Sequence, residues 1–275
     1  MASFRILGGD PPDSPVVLSV PHAGRAYCDA LCDALRAPLA SVAALEDRYV
    51  DAIALAARGA ETLLVQDRPR AWIDLNRGEH ERDPLLDDGA RAHHPSAKVR
   101  AGLGLVPRRT GQTGDLWRRR FAACEVEARI VADHRPYHQA LGDRLAAARA
   151  RFGVAVLLDL HSMPPLAGTR ARVVLGDRFG RAAATRFVQR LEEVVEAAGI
   201  GHALNTPYAG GYILERHARP AGGVHAIQVE LDRALYLDAR LDAPGPGMAA
   251  TVRLVRAMID ALADEALAGL AQAAE

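Results

Sequence analysis

Six short apolar runs, most of them closed by a polar residue or a turn, limit this chain more than any other feature of its sequence. SPVVLSV (14–20), ETLLVQ (61–66), AWIDLN (71–76), GVAVLLDL (153–160), ARVVLG (171–176) and HAIQVEL (225–231) have the length of buried strands, and most carry β-branched residues. Helical patterns run between them. EDRYVDAIALAARG closes on Gly59, and an Arg-rich segment runs from Asp115 to about Arg135. Further patterns run from Pro136 to about Arg151, from about Gly180 to Ala198 before Gly199, and from Gly247 to about Leu270. Strand patterns alternating with helical ones predict an α/β protein built on a layered sheet. With 275 residues, 49% of them hydrophobic, the chain is long enough to bury a substantial core, expected as one domain over 1–275.

The exceptional stretch is 77–115, RGEHERDPLLDDGARAHHPSAKVRAGLGLVPRRTGQTGD, which lacks periodicity and is rich in Gly, Pro and charge. It reads as a long irregular insertion of the kind used for lids and binding loops. Thirty-four basic residues balance thirty-four acidic ones, so no global charge favours nucleic acid or an anionic membrane, and a small partner is expected. No stretch approaches the roughly 18 apolar residues of a spanning helix, and MASFRILGGDPPD has no secretory core, which together predict a cytoplasmic protein. Cys28, Cys32 and Cys124 make no even disulfide framework. Cys28 and Cys32 stand one helical turn apart, either as a metal pair or as one face of a helix.

Polar groups recur where the strand patterns end. Residues 14–20 lead into PHAGR with His22, 71–76 ends on Asn76 and Arg77, 153–160 runs into His161, and 225–231 carries Glu230. Ligands of open α/β sheets bind at the carboxyl ends of parallel strands, so four such ends would converge on one site. Two histidines and a carboxylate with a position left for water make the usual open zinc site. His22 and His161 supply the nitrogens. Glu46, Asp47 and Asp51 are the available carboxylates, and the same residues would also suit the first turn of a helix, where acids meet the dipole. Asp159, two residues before His161, either orients a ligand or satisfies backbone donors.

SVPHAGR, LEDRYVD, WIDLNR, LLDLHSMP, NTPYAGGYI and HAIQVELDRALYLD, in this order and spread over nearly the whole chain, resemble the N-formylglutamate amidohydrolase family. The resemblance implies a three-layer α/β/α fold with a mixed central sheet, related to the zinc carboxypeptidases and the aspartoacylase group. It also implies one zinc ion per chain and hydrolysis of a small acidic N-acyl amino acid, N-formyl-L-glutamate first of all, as in histidine catabolism. Where the wider superfamily places a glutamate ligand three residues after its first histidine, this chain has Arg25, so the comparison points to Asp47, with Glu46 as the fallback. The VEL segment matches the one bearing the general acid/base, which gives that role to Glu230.

The same comparison gives Asn76 and Arg77 of DLNR to a substrate carboxylate. A planar guanidinium fork suits that task. Arg70 matches an arginine that polarises the scissile carbonyl, and reads equally as a surface charge. Thr206 and Tyr212 of NTPYAGGYI, a turn-rich segment whose glycines admit close approach of backbone, and Arg108 of LVPRRTG complete the expected substrate contacts. Arg109 beside it, His138 and the pair His93 and His94 are further polar residues that no strand end presents. LEDRYVD departs from the Asp-Trp-His variant of histidine-degrading members, a departure that points to other acyl groups. A zinc carboxypeptidase acting on short peptides or cell-wall fragments, and a metabolite-binding relative without catalysis, are the alternative readings.

Overall fold

In the computed structural model of the chain, which describes residues 3–91, 95–110 and 114–273, the apolar runs assemble into one seven-stranded sheet. The strands are β1 (Phe4–Leu7), β2 (Val16–Val20), β3 (Thr62–Gln66), a two-residue pair β4 (Arg109–Thr110) and β5 (Gly114–Asp115), then β6 (Ala155–Met163), β7 (Val173–Gly176), β8 (His202–Leu204) and β9 (Val224–Asp232). The helices are α1 (Asp29–Ala34), α2 (Leu39–Ala43), α3 (Val50–Ala57), α4 (Ala97–Arg100), α5 (Ala123–Arg129), α6 (Arg135–Phe152), α7 (Thr185–Ala197), α8 (Tyr212–His217) and α9 (Met248–Ala273). The large sheet runs β1-β3-β2-β6-β9-β7-β8, with β4 and β5 forming a separate hairpin inside the 77–115 insertion. β2, β6 and β9 pair in parallel, as do β7 and β8, while β7 meets β9 antiparallel, so the sheet is mixed as expected.

Strands buried on both faces read as continuous apolar runs rather than alternating ones. β2, β3, β6 and β7 are buried along their whole length, and only the first residue of β9 is partly exposed. Val156, Leu157, Leu158 and Leu160 of β6 have no exposed surface, and each contributes about 1.5–3 kcal/mol by leaving water. α3, α7 and α9 cover the sheet on one side, with α9 packed against α3, α7, β2 and β6. Phe187, Leu191 and Val195 of α7 recur at helical spacing and are buried, as are Val255, Met258, Ile259 and Leu262 of α9. The edge strands β1 and β8 are short and half-exposed, which is why their sequences carry no strong strand signal.

The fold departs from the sequence expectations at several places: the helix expected from Asp115 begins only at Ala123, with Asp115 itself in β5, and three further departures have an identifiable reason. Residues 71–76 are buried turns and not a strand. Side chains take the carbonyl groups a ladder would use: Arg129 Nη1 donates to Trp72 O (3.0 Å), His138 Nε2 to Leu75 O (2.9 Å) and His134 Nε2 to Arg77 O (2.8 Å). The helices expected on either side of Pro136 form one continuous rod from Ala123 to Phe152 with a wide π turn over Ile130–His134. There the Arg135 N–H reaches back five residues to Ile130 O, so the proline that follows finds a ladder already widened by one residue. Finally, α3 begins at Val50 and not at Glu46. Tyr49 is held in the left-handed region (φ 61°), which ends any helical path from Glu46 and Asp47 into α3.

By contact density the chain divides into two compact units. One comprises Met1–Arg5, Pro21–Arg48 and Val65–Ala140, and contains the PHAGR turn, the 71–77 segment, the insertion and α5. The other comprises Ile6–Val20, Tyr49–Leu64 and Leu141–Glu275, and holds β2, β6, β9 and the helices that cover them. No described helix is long and apolar enough to cross a membrane.

Candidate metal centre

Sheet register decides what the strand ends present. Ser19 of β2 pairs with Asp159 of β6, and His161 of β6 pairs with Glu230 of β9. Neighbouring strands lie about 4.8 Å apart and paired residues share a face, so His161 and Glu230 stand side by side on one rung. β2 stops at Val20, where Pro21 offers no N–H for a further ladder bond, and the chain leaves the sheet into His22. Gly24 in this turn has no alternative: a Cβ there would lie 2.2 Å from Arg68 O.

Carboxylates fix both imidazoles. Ser19 Oγ donates to Asp159 Oδ1 (2.6 Å), and His161 Nε2 donates to Asp159 Oδ2 (2.8 Å), with all three side chains buried. His22 Nε2 donates to Asp74 Oδ1 (2.7 Å), while its Nδ1 lies 3.5 Å from Asp47 Oδ2. Asp47 is tied to the same turn by its backbone N–H, which donates to His22 O (3.0 Å). Each histidine thus spends Nε2 on a carboxylate, the arrangement that sets the tautomer and aims Nδ1 as a ligand atom. His22, Asp47 and His161, all buried, each offer one ligand atom within 4.8 Å of the others. Two nitrogens and one carboxylate oxygen, each imidazole already oriented from behind, fit a divalent ion of the zinc type. Glu46 is buried beside them, 3.9 Å from Arg48 Nη1, but does not join this group.

Asp74 anchors the surroundings of His22. It has no exposed surface, and besides His22 it accepts from Arg70 Nε (2.8 Å) and the Asn76 N–H (2.8 Å), with Arg77 Nη2 3.9 Å away. Burial works to raise its pKa, but Arg70, Arg77 and His22 together hold the carboxyl well below the usual range. Glu230 is almost fully buried, and Gln228 Nε2 donates to its Oε1 (2.9 Å), which fixes the rotation of the carboxylate.

Among the residues expected to hold substrate, the geometry is uneven. Arg77 is buried and donates through Nε to Leu103 O (2.8 Å) and through Nη1 to Asn76 O (2.6 Å). The open two-pronged fork expected of it is therefore largely spent on backbone, and only Nη2 remains to meet a ligand. Arg70 sits in a turn, and its partner is Asp74. Arg108 bridges Asp83 (2.8 Å) and Asp115 (2.7 Å), which gives it the task of pinning the insertion, and Arg109 is exposed. Thr206 is exposed, and the hydroxyl of half-buried Tyr212 accepts from Arg216 (3.0 Å). Cys28 and Cys32 are free thiols, Cys28 at the start of α1 and Cys32 exposed on it. His93 and His94 lie outside the described residues.

Four residues of this region carry no role in a reading of the sequence alone: Asp74, Ser19, Gln228 and His134. Asp74 and Ser19 sit within the very motifs that flag the site, yet nothing local says that their side chains face a histidine. The spacing of His134 and His138, four apart on one helix, is the signal that a helix face addresses a polar partner.

An acid one rung from a His–Asp–His donor set, at the ends of parallel strands in a mixed sheet, is the equipment of a hydrolytic α/β enzyme. More particularly, the chain belongs to the N-formylglutamate amidohydrolase family, whose model matches residues 14–237. It is 31% identical to an N-formylglutamate deformylase of Pseudomonas aeruginosa over 264 residues, covering 92% of this chain and 93% of that protein. An N-formylglutamate deformylase of Pseudomonas putida is 29% identical over 232 residues, 82% of each chain. Among solved structures, the N-formylglutamate amidohydrolase of Ralstonia eutropha JMP134 superposes with a TM-score of 0.89 at 29% identity, covering 98% of this chain and all of that one.

Proposed function

We propose that this chain hydrolyses the amide bond of N-formyl-L-glutamate, giving formate and L-glutamate, with one zinc ion held by His22, Asp47 and His161. Family membership supports the reaction. The observation that carries the site is the buried His–Asp–His group whose two imidazoles are each oriented by a second carboxylate. When bound, a divalent ion supplies Lewis-acid polarisation of the formyl oxygen and acidifies the attacking water.

The remaining steps fall to side chains. Glu230, on the rung beside His161, takes the proton from the attacking water and delivers it to the leaving nitrogen. Gln228 keeps that carboxylate in one rotamer, so the proton is received and returned at a fixed place. Arg70, Arg77 and Asn76 surround Asp74, and two guanidinium charges against one carboxylate leave a net positive wall. This wall selects the acidic amino-acid half of the substrate, with Arg77 Nη2 and the Asn76 amide as donors. Thr206 and Tyr212 contribute from the 205–213 segment. A cytoplasmic setting belongs to the same reading.

Metal analysis of the purified protein beside formate and amine release from N-formyl-, N-acetyl- and N-succinyl-L-glutamate tests this reading. About one zinc per chain with selective formate release is the expected result. Zinc without turnover of the formyl compound, but with turnover of another acyl group, would keep the centre and replace the substrate. Absence of both metal and turnover would sink the proposal.

A further inference from the structure

Away from the histidines, the unit containing α1 and α5 has a cavity of about 630 Å³, lined by Trp72, Phe121 and the small side chains of Ala30, Ala128 and Ala132. None of His22, Asp47, His161 or Glu230 lines it. Arg129 does, and its situation is unusual. The residue is 4% exposed, with its guanidinium 3.9 Å from the ring centre of Trp72 and 4.1 Å from that of Phe121. Among the described residues it makes one hydrogen bond, from Nη1 to Trp72 O (3.0 Å), and no ion pair. Burial pushes its pKa down to about 10, an effect that nearby Glu125, Cys28 and Asp133 offset only in part.

The carboxylates of Glu125 and Asp133 on the cavity wall act on Arg129 from a distance, and each has a nearer partner. Glu125 takes both prongs of Arg119 (2.7 Å each), and Asp133 accepts from Trp72 Nε1 (2.7 Å) with Arg68 3.7 Å away. Asp33 is exposed, where water screens it. A buried arginine normally spends its five donors on carboxylates or carbonyls, because an uncompensated charge inside a protein is costly. Here two aromatic faces carry part of that burden, and the remaining N–H groups have no acceptor from the described protein.

We propose that this cavity is a second ligand site, one that takes a small monocarboxylate with a compact apolar body, its carboxylate on Arg129 and its body among the two rings and the alanines. One buried guanidinium without an ion pair, in a lining whose charges otherwise include both signs, and small apolar walls set both limits on the ligand. The site stands apart from the proposed deformylase centre and does not depend on it.

Both tryptophans of the chain, Trp72 and Trp117, have the Arg129 guanidinium over their rings, at 3.9 and 5.9 Å, so intrinsic fluorescence reads this place directly. Benzoate titrated into the full-length protein should change the emission saturably, while benzamide, the neutral analogue of the same shape, should not. Ala132→Phe, an exposed position on the π turn, fills the cavity without touching the charge and should abolish the response, and Arg129→Met should weaken it about tenfold or more. The wild-type comparison decides by itself. No saturable change with benzoate, an equal response to benzamide, or undiminished benzoate binding in folded Ala132→Phe each overturns the proposal.

Discussion

Asp74 lies with no exposed surface at the meeting point of His22, Arg70 and Arg77, and its charge serves all three. Replacing it by Asn leaves buried Arg77 and half-buried Arg70 without their anion and loosens the tautomer of His22. Asp74→Asn should lower stability by about 3 kcal/mol in urea denaturation and metal affinity by about 10- to 100-fold in a competition titration. Unchanged metal affinity would remove Asp74 from the support of His22. Two further substitutions separate ligand from proton carrier. His161→Ala should lose metal while keeping its circular dichroism, whereas Glu230→Gln should keep metal stoichiometry and lose about 10²-fold or more in kcat. Metal retained in full by His161→Ala would exclude that residue as a ligand. At this scale the His22, Asp47 and His161 group was legible because polar residues recur at several strand ends of one chain; a single apolar run that ends on a histidine says little. Asp74 could not be read, because its partners come from another strand end, from Arg70 and from Arg77, and only folding brings them to one oxygen pair.

At the scale of elements, the strands that were legible are those buried on both faces, where composition alone identifies them. The 71–76 segment misled because it has the same composition for another reason. It is buried as a loop, its carbonyl groups held by Arg129, His134 and His138 from a helix more than fifty residues away in sequence. The Gly24 turn makes a test of this level: Gly24→Ala drives a methyl group into the Arg68 backbone and should cost about 1–3 kcal/mol while displacing His22, seen as weakened metal binding. A second test concerns α7. Ala184, the cap residue that precedes α7, has no side chain to cap the helix, and its N–H donates to His225 Nδ1 (3.2 Å). Burial, then the nearby Arg186, push the His225 pKa down to about 4. An unfolded histidine takes up a proton near pH 6.5 while the folded one does not, so stability should fall as pH drops from about 6.5 toward 4. The loss should reach about 2 kcal/mol by pH 4, and His225→Gln should flatten this part of the profile in thermal melts. An identical acid limb in the variant would exclude His225 as its source.

For the whole molecule, the proposed metal group draws on positions 22, 47 and 161, stretches that the unfolded chain holds far apart. An ion that binds only the folded arrangement stabilises it by mass action, by about 2.7 kcal/mol at one hundred times its dissociation constant. Removal with a chelator should therefore lower Tm by about 5 °C or more, and added zinc should restore it, followed by calorimetry. No shift in either direction would mean that the three residues do not hold an ion in solution. A layered α/β sheet was foreseeable from alternating patterns and its mixed character from the family resemblance; the division of the chain into two compact units was not, since each unit is stitched from three separated segments and no linker marks their borders.

The rung shared by His161 and Glu230 also bears on how such a chain can change through descent. Side chains alternate faces along a strand, so inserting or deleting a single residue within β6 or β9 turns one of the two acting groups to the opposite side of the sheet. The lengths of 155–163 and 224–232 are thus tied to the placing of both groups. Over 77–115, whose described residues include a four-residue helix and a pair of two-residue strands, no such parity applies. Gains and losses of residues among related enzymes should accumulate there.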